Sequence, residues 1–281
     1  MAKHYEALQR AEAERRRKFV GEPAPAMPTD WDTTPATAPK PKRGFFKRLF
    51  QGGRRPTEVI ETANEANKRR IAMIQPESFA AEQFRTLRGR IDSLSTQQSI
   101  TTVAVVSANP GEGKSMASIN LAAVTSMSVG RKVLLVDCDL RRPKIHTSLG
   151  IQAAAGLGEV LTGEATLEDA IVKVDDVNLD VLAVRRKPGN PSELLASAAM
   201  QEVIEKLSGM YDQVILDTPS CLGLPDAKTV TELCDGVVLV VRAAVTPKQD
   251  VETVLEILDQ RRILGLVLNG IDGSSQSSGY S

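Results

Sequence analysis

The stretch Thr101-Thr-Val-Ala-Val-Val-Ser107-Ala-Asn-Pro-Gly-Glu-Gly-Lys114-Ser115 sets the reading of the whole chain. Its first half is a continuous β-branched run, as expected of a strand buried on both faces. Its second half is rich in turn formers, and Met116–Met127 beyond it carries a helical pattern. Strand, loop and helix in that order are the context a phosphate-binding P-loop (Walker A) requires. Gly111 and Gly113 let backbone N–H groups turn inward around phosphate oxygens, and the N-terminus of the next helix adds positive potential. Lys114 is expected to neutralise the β- and γ-phosphates, and the Ser115 hydroxyl to ligate Mg²⁺. One position departs from G-x-x-x-x-G-K-[ST]: Ala108 stands where the first glycine is usual.

Outward from this loop, apolar runs alternate with amphipathic stretches. The expected strands are 101–107, 132–137, 179–184, 213–217, 236–242 and 263–269, with helical patterns between them. This predicts an α/β fold, a doubly wound and mostly parallel sheet covered on both faces. One helix start is well marked: Asn190 as cap, Pro191 at the first helical position, and Glu193 completing a capping box. Two strands end in carboxylates. Val133-Leu-Leu-Val-Asp137-Cys-Asp139-Leu-Arg141-Arg142-Pro143 carries two aspartates that share a side if the strand continues that far. Val214-Ile-Leu-Asp217-Thr-Pro219 has the Walker B pattern, whose aspartate serves Mg²⁺. In such sheets ligands bind beyond the carboxyl ends of the strands, where all three aspartates fall.

The net charge of zero hides a division. Residues 1–75 hold 16 basic against nine acidic side chains, a local +7, and residues 76–281 hold 19 against 26. The first segment also contains seven of the fifteen prolines, so a mostly disordered basic extension is expected there. Within it, Gly44-Phe-Phe-Lys-Arg-Leu-Phe50 pairs aromatics with cations, a composition suited to an anionic membrane surface or a docking partner. The compact domain is expected over 76–272, and Gly273–Ser281 reads as a flexible Gly/Ser tail bearing Tyr280. No apolar stretch reaches the ~20 residues of a membrane span, and no signal-peptide pattern is visible. Cys138, Cys221 and Cys234 are scattered and cannot all pair, which fits a reduced, cytoplasmic setting.

Taken together, residues 76–281 resemble the bacterial tyrosine kinases (BY-kinases), relatives of the partitioning and cell-division-site ATPases. The resemblance rests on Pro110-Gly-Glu-Gly-Lys-Ser115, on Val136-Asp-Cys-Asp-Leu-Arg-Arg-Pro143 (the Walker A′ motif) and on Ile215-Leu-Asp-Thr-Pro219. Gly189-Asn-Pro-Ser-Glu-Leu-Leu195, Leu264-Gly-Leu-Val-Leu-Asn269 and Glu82-x-x-Arg85-x-x-Arg88 also match. It implies binding of ATP and Mg²⁺ and phosphoryl transfer to tail tyrosines of a neighbouring subunit. Nucleotide contacts are then expected from Pro110, Gly111, Glu112, Gly113, Lys114, Ser115 and Met116. Asp137 becomes the candidate base or acceptor-orienting carboxylate, Asp139 and Asp217 serve the metal beside Ser115, and Arg141 steadies phosphate charge. Asn269 falls where relatives bind adenine; capping the turn after the last strand is the alternative for it. Glu82, Arg85 and Arg88 would mediate ring-like self-association, since positions three apart share a helical face.

The departure is the acceptor. The family tail carries several tyrosines, and here Tyr280 stands alone in it; the others in the chain are Tyr5 and Tyr211. The primary expectation is a cytoplasmic tyrosine autokinase regulating exopolysaccharide or capsule assembly, recruited to the inner face of the membrane and activated by a separate membrane-embedded protein of the chain-length-control (co-polymerase) type. The alternatives are a nucleotide-gated scaffold and an ATPase switch of the partitioning kind. Against the latter, Asn109 stands where those relatives carry an extra lysine. No motif for specific nucleic-acid recognition is visible.

Overall fold

The computed structural model describes residues 70–174 and 177–271. The expectations for the N-terminal extension with Tyr5 and residues 44–50, and for the tail with Tyr280, lie outside the described residues. Among the described residues seven strands form one sheet: β1 (Thr102–Ser107), β2 (Val133–Asp137), β3 (Ile171–Val174), β4 (Leu179–Leu182), β5 (Gln213–Asp217), β6 (Gly236–Arg242) and β7 (Ile263–Asn269). Their order is β3-β4-β2-β5-β1-β6-β7. All neighbours are parallel except β3 and β4. The six expected strands are present to within two residues at each end.

The seventh, β3, escaped the sequence reading. Leu167-Glu-Asp-Ala170 opens as a helical turn, capped by the Thr166 side chain accepting from the Asp169 amide, and the chain turns extended at Ile171. Four residues are too few to show a period of two, and they continue the helical pattern before them. A second correction concerns the marked helix start. Asn190 and Pro191 do begin a helix, Pro191–Leu195, but the Asn190 side chain accepts no capping bond. Its backbone (φ −129°, ψ 61°) is not the extended conformation that aims a capping side chain back at the helix, so the expected capping box is absent.

The helices of the described residues are α1 (Ile71–Ile74), α2 (Phe79–Ser95), α3 (Lys114–Ser126), α4 (Ile145–Leu149), α5 (Leu157–Leu161), α6 (Leu167–Ala170), α7 (Pro191–Leu195), α8 (Ala198–Met210), α9 (Asp226–Glu232) and α10 (Lys248–Ile257). Strand alternation divides them between the two faces. Val103 and Val105 of β1 pack with Ala117 and Leu121 of α3 and Phe84 and Ile91 of α2. Ala104, with Val136 and Val214, faces Met200, Val203 and Leu207 of α8, while Val106, Val237 and Leu239 meet Val254 of α10. Each such Val or Leu contributes about 1.5–3 kcal/mol by leaving water. Among the described residues no helix is long and apolar enough to cross a membrane.

Helix α3 is buried almost all round, with only Ser115 and Met116 of its thirteen residues not buried. It lies between the sheet and α1 and α2, and the Ala72 amide donates to Asn120 Oδ1 of α3 at 2.8 Å. Packed structure therefore begins ahead of residue 76. At the carboxyl edge, β1 feeds the loop before α3, and Asp137 and Asp217 end β2 and β5 opposite each other in register. Asp137, Asp139 and Asp217 thus gather with the phosphate loop at this edge.

Candidate active site

The loop between β1 and α3 is shaped by its two glycines. Gly111 (φ +87°) and Gly113 (φ +98°) adopt left-handed backbone that side-chain-bearing residues rarely take. At Gly113 space is also decisive, since a Cβ there would stand 2.0 Å from the Asn269 side-chain nitrogen. The first half of the loop is braced from outside. Buried Glu112 accepts from the Asn109 amide (3.0 Å) and from the Thr246 hydroxyl (2.6 Å). Asn109 Nδ2 donates to Asp250 (2.6 Å), Arg242 Nη1 to the Gly111 carbonyl (3.1 Å) and Asn269 Nδ2 to the Glu112 carbonyl (2.9 Å). Thr246, Asp250 and Arg242 were not anticipated: Thr246-Pro247-Lys248-Gln249-Asp250 reads only as the start of a helix.

Beneath the loop lies a buried charge cluster. Lys114 Nζ donates to Asp217 Oδ1 at 2.8 Å, the side chains being 9% and 1% exposed. Burial pushes the Lys114 ammonium down, but Asp217, joined by Asp139 and Asp137, outweighs it and holds the pKa above its ordinary value. The Ser118 hydroxyl is 3.2 Å from the same Asp217 oxygen. Asp217 Oδ2, also buried, has no hydrogen-bond partner among the described residues. A buried carboxylate oxygen without a donor is costly, and it fits a site completed by a cation. Among the described residues no group of three or more His, Cys, Asp or Glu side chains forms a metal cage. Mg²⁺ does not need one, since one or two carboxylates, a hydroxyl and phosphate oxygens suffice.

Asp137 is fully buried. Its Oδ1 accepts from the Asp139 amide, and its Oδ2 from the Lys144 and Ile145 amides, each at 3.1 Å. Burial, then the charge of Asp217, raises its pKa to about 7. Because β2 ends at Asp137, the two aspartates diverge: Asp139 borders the cavity and Asp137 does not.

That cavity measures about 530 Å³. Pro110, Gly111, Gly113, Ser115 and Met116 form its floor, with Lys114, Asp139 and Arg141 around it. Glu112 and Asn269 stand behind it, bonded to the loop. Asn269 and Met116 border a second hollow, about 470 Å³, between α2 and β7. Elsewhere, Arg85 Nη1 pairs with Glu82 (2.9 Å) and its Nη2 donates to the Pro76 carbonyl (2.7 Å). Arg88 Nη1 donates to the Val124 carbonyl (2.8 Å) and Ser128 Oγ (3.0 Å) at the end of α3. Both guanidinia of the expected assembly motif thus hold contacts inside their own chain.

With this geometry in view, the similarities to known proteins are specific. A family model described as an AAA domain matches residues 100–262. Tyrosine-protein kinase YwqD of Bacillus subtilis is 39% identical over 213 residues, which cover 75% of this chain and 90% of that protein. The succinoglycan biosynthesis transport protein ExoP of Rhizobium meliloti is 34% identical over 243 residues, which cover 84% of this chain but 31% of ExoP. The kinase domain of Escherichia coli tyrosine kinase ETK superposes with a TM-score of 0.70 at 32% identity, covering 75% of this chain and 83% of that one. The septum site-determining protein MinD of Pyrococcus horikoshii, solved with Mg-ADP, gives 0.53 at 30% identity, covering 63% and 72%. At 39% identity across 90% of YwqD, and with the ETK kinase domain superposing at a TM-score of 0.70, the chain belongs to the bacterial tyrosine kinase family.

Proposed function

We propose that this chain is an ATP-dependent protein-tyrosine autokinase that serves exopolysaccharide or capsule assembly. The observation that carries it is the Lys114–Asp217 pair, with Asp217 Oδ2 lacking a partner among the described residues, beside a cavity lined by the left-handed glycines 111 and 113. Lys114 and the amides of 111–116 hold the β- and γ-phosphates, and Ser115, Asp139 and Asp217 are the residues that would hold Mg²⁺. The ion, when bound, neutralises charge on the phosphate oxygens. A nucleotide with its phosphates on the loop reaches Asn269 past Met116, which borders both hollows.

In the transfer, the tyrosine oxygen bonds to the γ-phosphorus, the bond to the ADP oxygen breaks, and the phenolic proton passes to water, because Asp137 does not border the cavity and is not the base. Asp137 orients this step from behind, because its carboxylate fixes the turn that carries Asp139 and Arg141. Tyr280 of a neighbouring copy is the acceptor, and Glu82, Arg85 and Arg88 support that assembly. The setting we infer is the cytoplasmic face of the membrane, with residues 44–50 touching its surface and a membrane-embedded co-polymerase protein as activator. The ExoP name, a transport protein of succinoglycan biosynthesis, supports the polysaccharide setting.

A nucleotide-gated scaffold is the second reading, favoured by the thin supply of acceptors. Tyr211, the one tyrosine among the described residues, donates to Asp180 at 2.8 Å. A partitioning-type switch fits less well, because the Asn109 side chain is bound to Asp250. Incubation with ATP and Mg²⁺, with and without activator, followed by phosphotyrosine mapping separates them. The kinase reading expects label at Tyr280; tight ATP binding with no labelled tyrosine supports the scaffold instead.

A further inference from the structure

Three segments distant in sequence meet at one wall of the cavity. Arg141, in the turn after β2, donates from Nε to Asp226 Oδ2 and from Nη2 to Ser192 Oγ, both at 2.7 Å. The Ser192 hydroxyl donates to Asp226 Oδ1 at 2.6 Å. These three bonds close a ring. The single hydroxyl proton is spent on Asp226, so Ser192 faces Arg141 as an acceptor only, and both Asp226 oxygens are occupied. Asp226 is wholly buried, whereas the Arg141 side chain is 36% exposed and borders the cavity. Two of the five guanidinium N–H donors are held by the ring, and among the described residues nothing takes the other three, which leaves them for a ligand. The Gly189–Leu195 stretch, matched in sequence but without a role in the chemistry above, presents Ser192 to this ring.

We propose that Ser192 and Asp226 are positioning residues that fix the Arg141 guanidinium in one orientation toward the phosphates of bound nucleotide. The proposal rests on the nucleotide reading above. A planar fork held at two of its nitrogens cannot swing as a free side chain would, and it keeps its remaining donors aimed at one place. Lysine offers no such fork.

The test is a double-mutant cycle on the full chain, with affinity for ATP and Mg²⁺ and the melting temperature of the nucleotide-free protein as readouts. Ser192→Ala weakens affinity about three- to tenfold, in the lower part of the range expected of coupled polar neighbours. Ser192→Thr, which keeps the hydroxyl, restores it to within about twofold, and Ser192→Ala adds nothing further in an Arg141→Ala background. A purely structural Ser192 would lower the melting temperature and weaken binding to the same degree with or without Arg141. Multiplying effects of the two substitutions, or a threonine variant as weak as alanine, overturn the ring. If the unaltered chain binds no ATP with Mg²⁺, the nucleotide reading falls and takes this proposal with it. If it binds and the cycle is additive, only the ring falls.

Discussion

At the scale of single residues, the site concentrates charge where water is scarce. Asp137 and Asp217 face each other across β2 and β5 with one buried ammonium, Lys114, between them and the loop. Its pKa of about 7 makes Asp137 the group that answers to pH. A carboxyl raised above its unfolded value binds more protons folded than unfolded, so its stabilising contribution is whole below about pH 4 and is lost as pH rises through about 7. The protein free of nucleotide and Mg²⁺ should therefore melt several degrees lower at pH 8 than at pH 5.5 through this group, and Asp137→Asn should flatten that slope. Lys114→Met should abolish nucleotide binding and lower the melting temperature most at pH 8, where the two carboxylates lose their counter-ion. Removing one partner of a buried pair costs about 3–5 kcal/mol. Equal slopes in the unaltered and Asp137→Asn proteins, or unchanged ATP affinity in Lys114→Met, would contradict these assignments. The first contacts of the site were legible because each is written locally: Gly111 and Gly113 by their spacing, Lys114 by its neighbours, Asp217 by its place after an apolar run. Thr246, Asp250, Ser192 and Asp226 were not, since each reads as an ordinary helix-start residue and gains its meaning only from a partner far along the chain.

At the scale of elements, strands with continuous apolar runs were readable and the short edge strand was not. β1, β2 and β5 are buried along their whole length, so burial itself wrote their sequence. β3, at the sheet edge and only partly buried, carries Lys173 and no run long enough to separate it from the helical turn before it. Helix α2 adds a case where the right residues have a second use. The spacing of Glu82, Arg85 and Arg88 places them on one face, yet Arg88 reaches across to the Val124 carbonyl in the last turn of α3, the helix that begins at Lys114. Charge-assisted bonds of this kind are worth about 1.5–3 kcal/mol, so Arg88→Ala should lower the melting temperature whether or not copies assemble. Glu82 is 63% exposed and its pair with Arg85 is a surface pair, worth about 0–1 kcal/mol. Glu82→Arg should thus leave melting within about a degree or two while reducing self-association by light scattering. An Arg88→Ala protein that melts normally but no longer assembles would make Arg88 an interface residue alone.

At the scale of the whole molecule, the sheet separates the possible acceptors. Tyr211 stands just before β5, while the cavity lies past its other end at Asp217, six residues on and about 20 Å away at ~3.3 Å per residue. With its hydroxyl bound to Asp180 and its pKa raised by burial and by that bond, Tyr211 is built as a structural residue. The tail differs. β7 runs parallel to β6, so Asn269 ends at the carboxyl edge beside the loop it touches. Nine residues lead from Ile271 to Tyr280, a contour of at most about 32 Å. A contour bound of that size does not choose between transfer within a chain and between chains. Mixing does. Lys114→Met protein retains Tyr280 but cannot hold phosphate, and Tyr280→Phe protein retains the site but lacks the acceptor. Distinguished by mass, the two together should place label on the Lys114→Met chain, at a rate that rises with concentration. Label in the unaltered protein at a concentration-independent rate, with none in the mixture, would instead mean that each tail serves its own site, and Glu82→Arg would then leave labelling untouched.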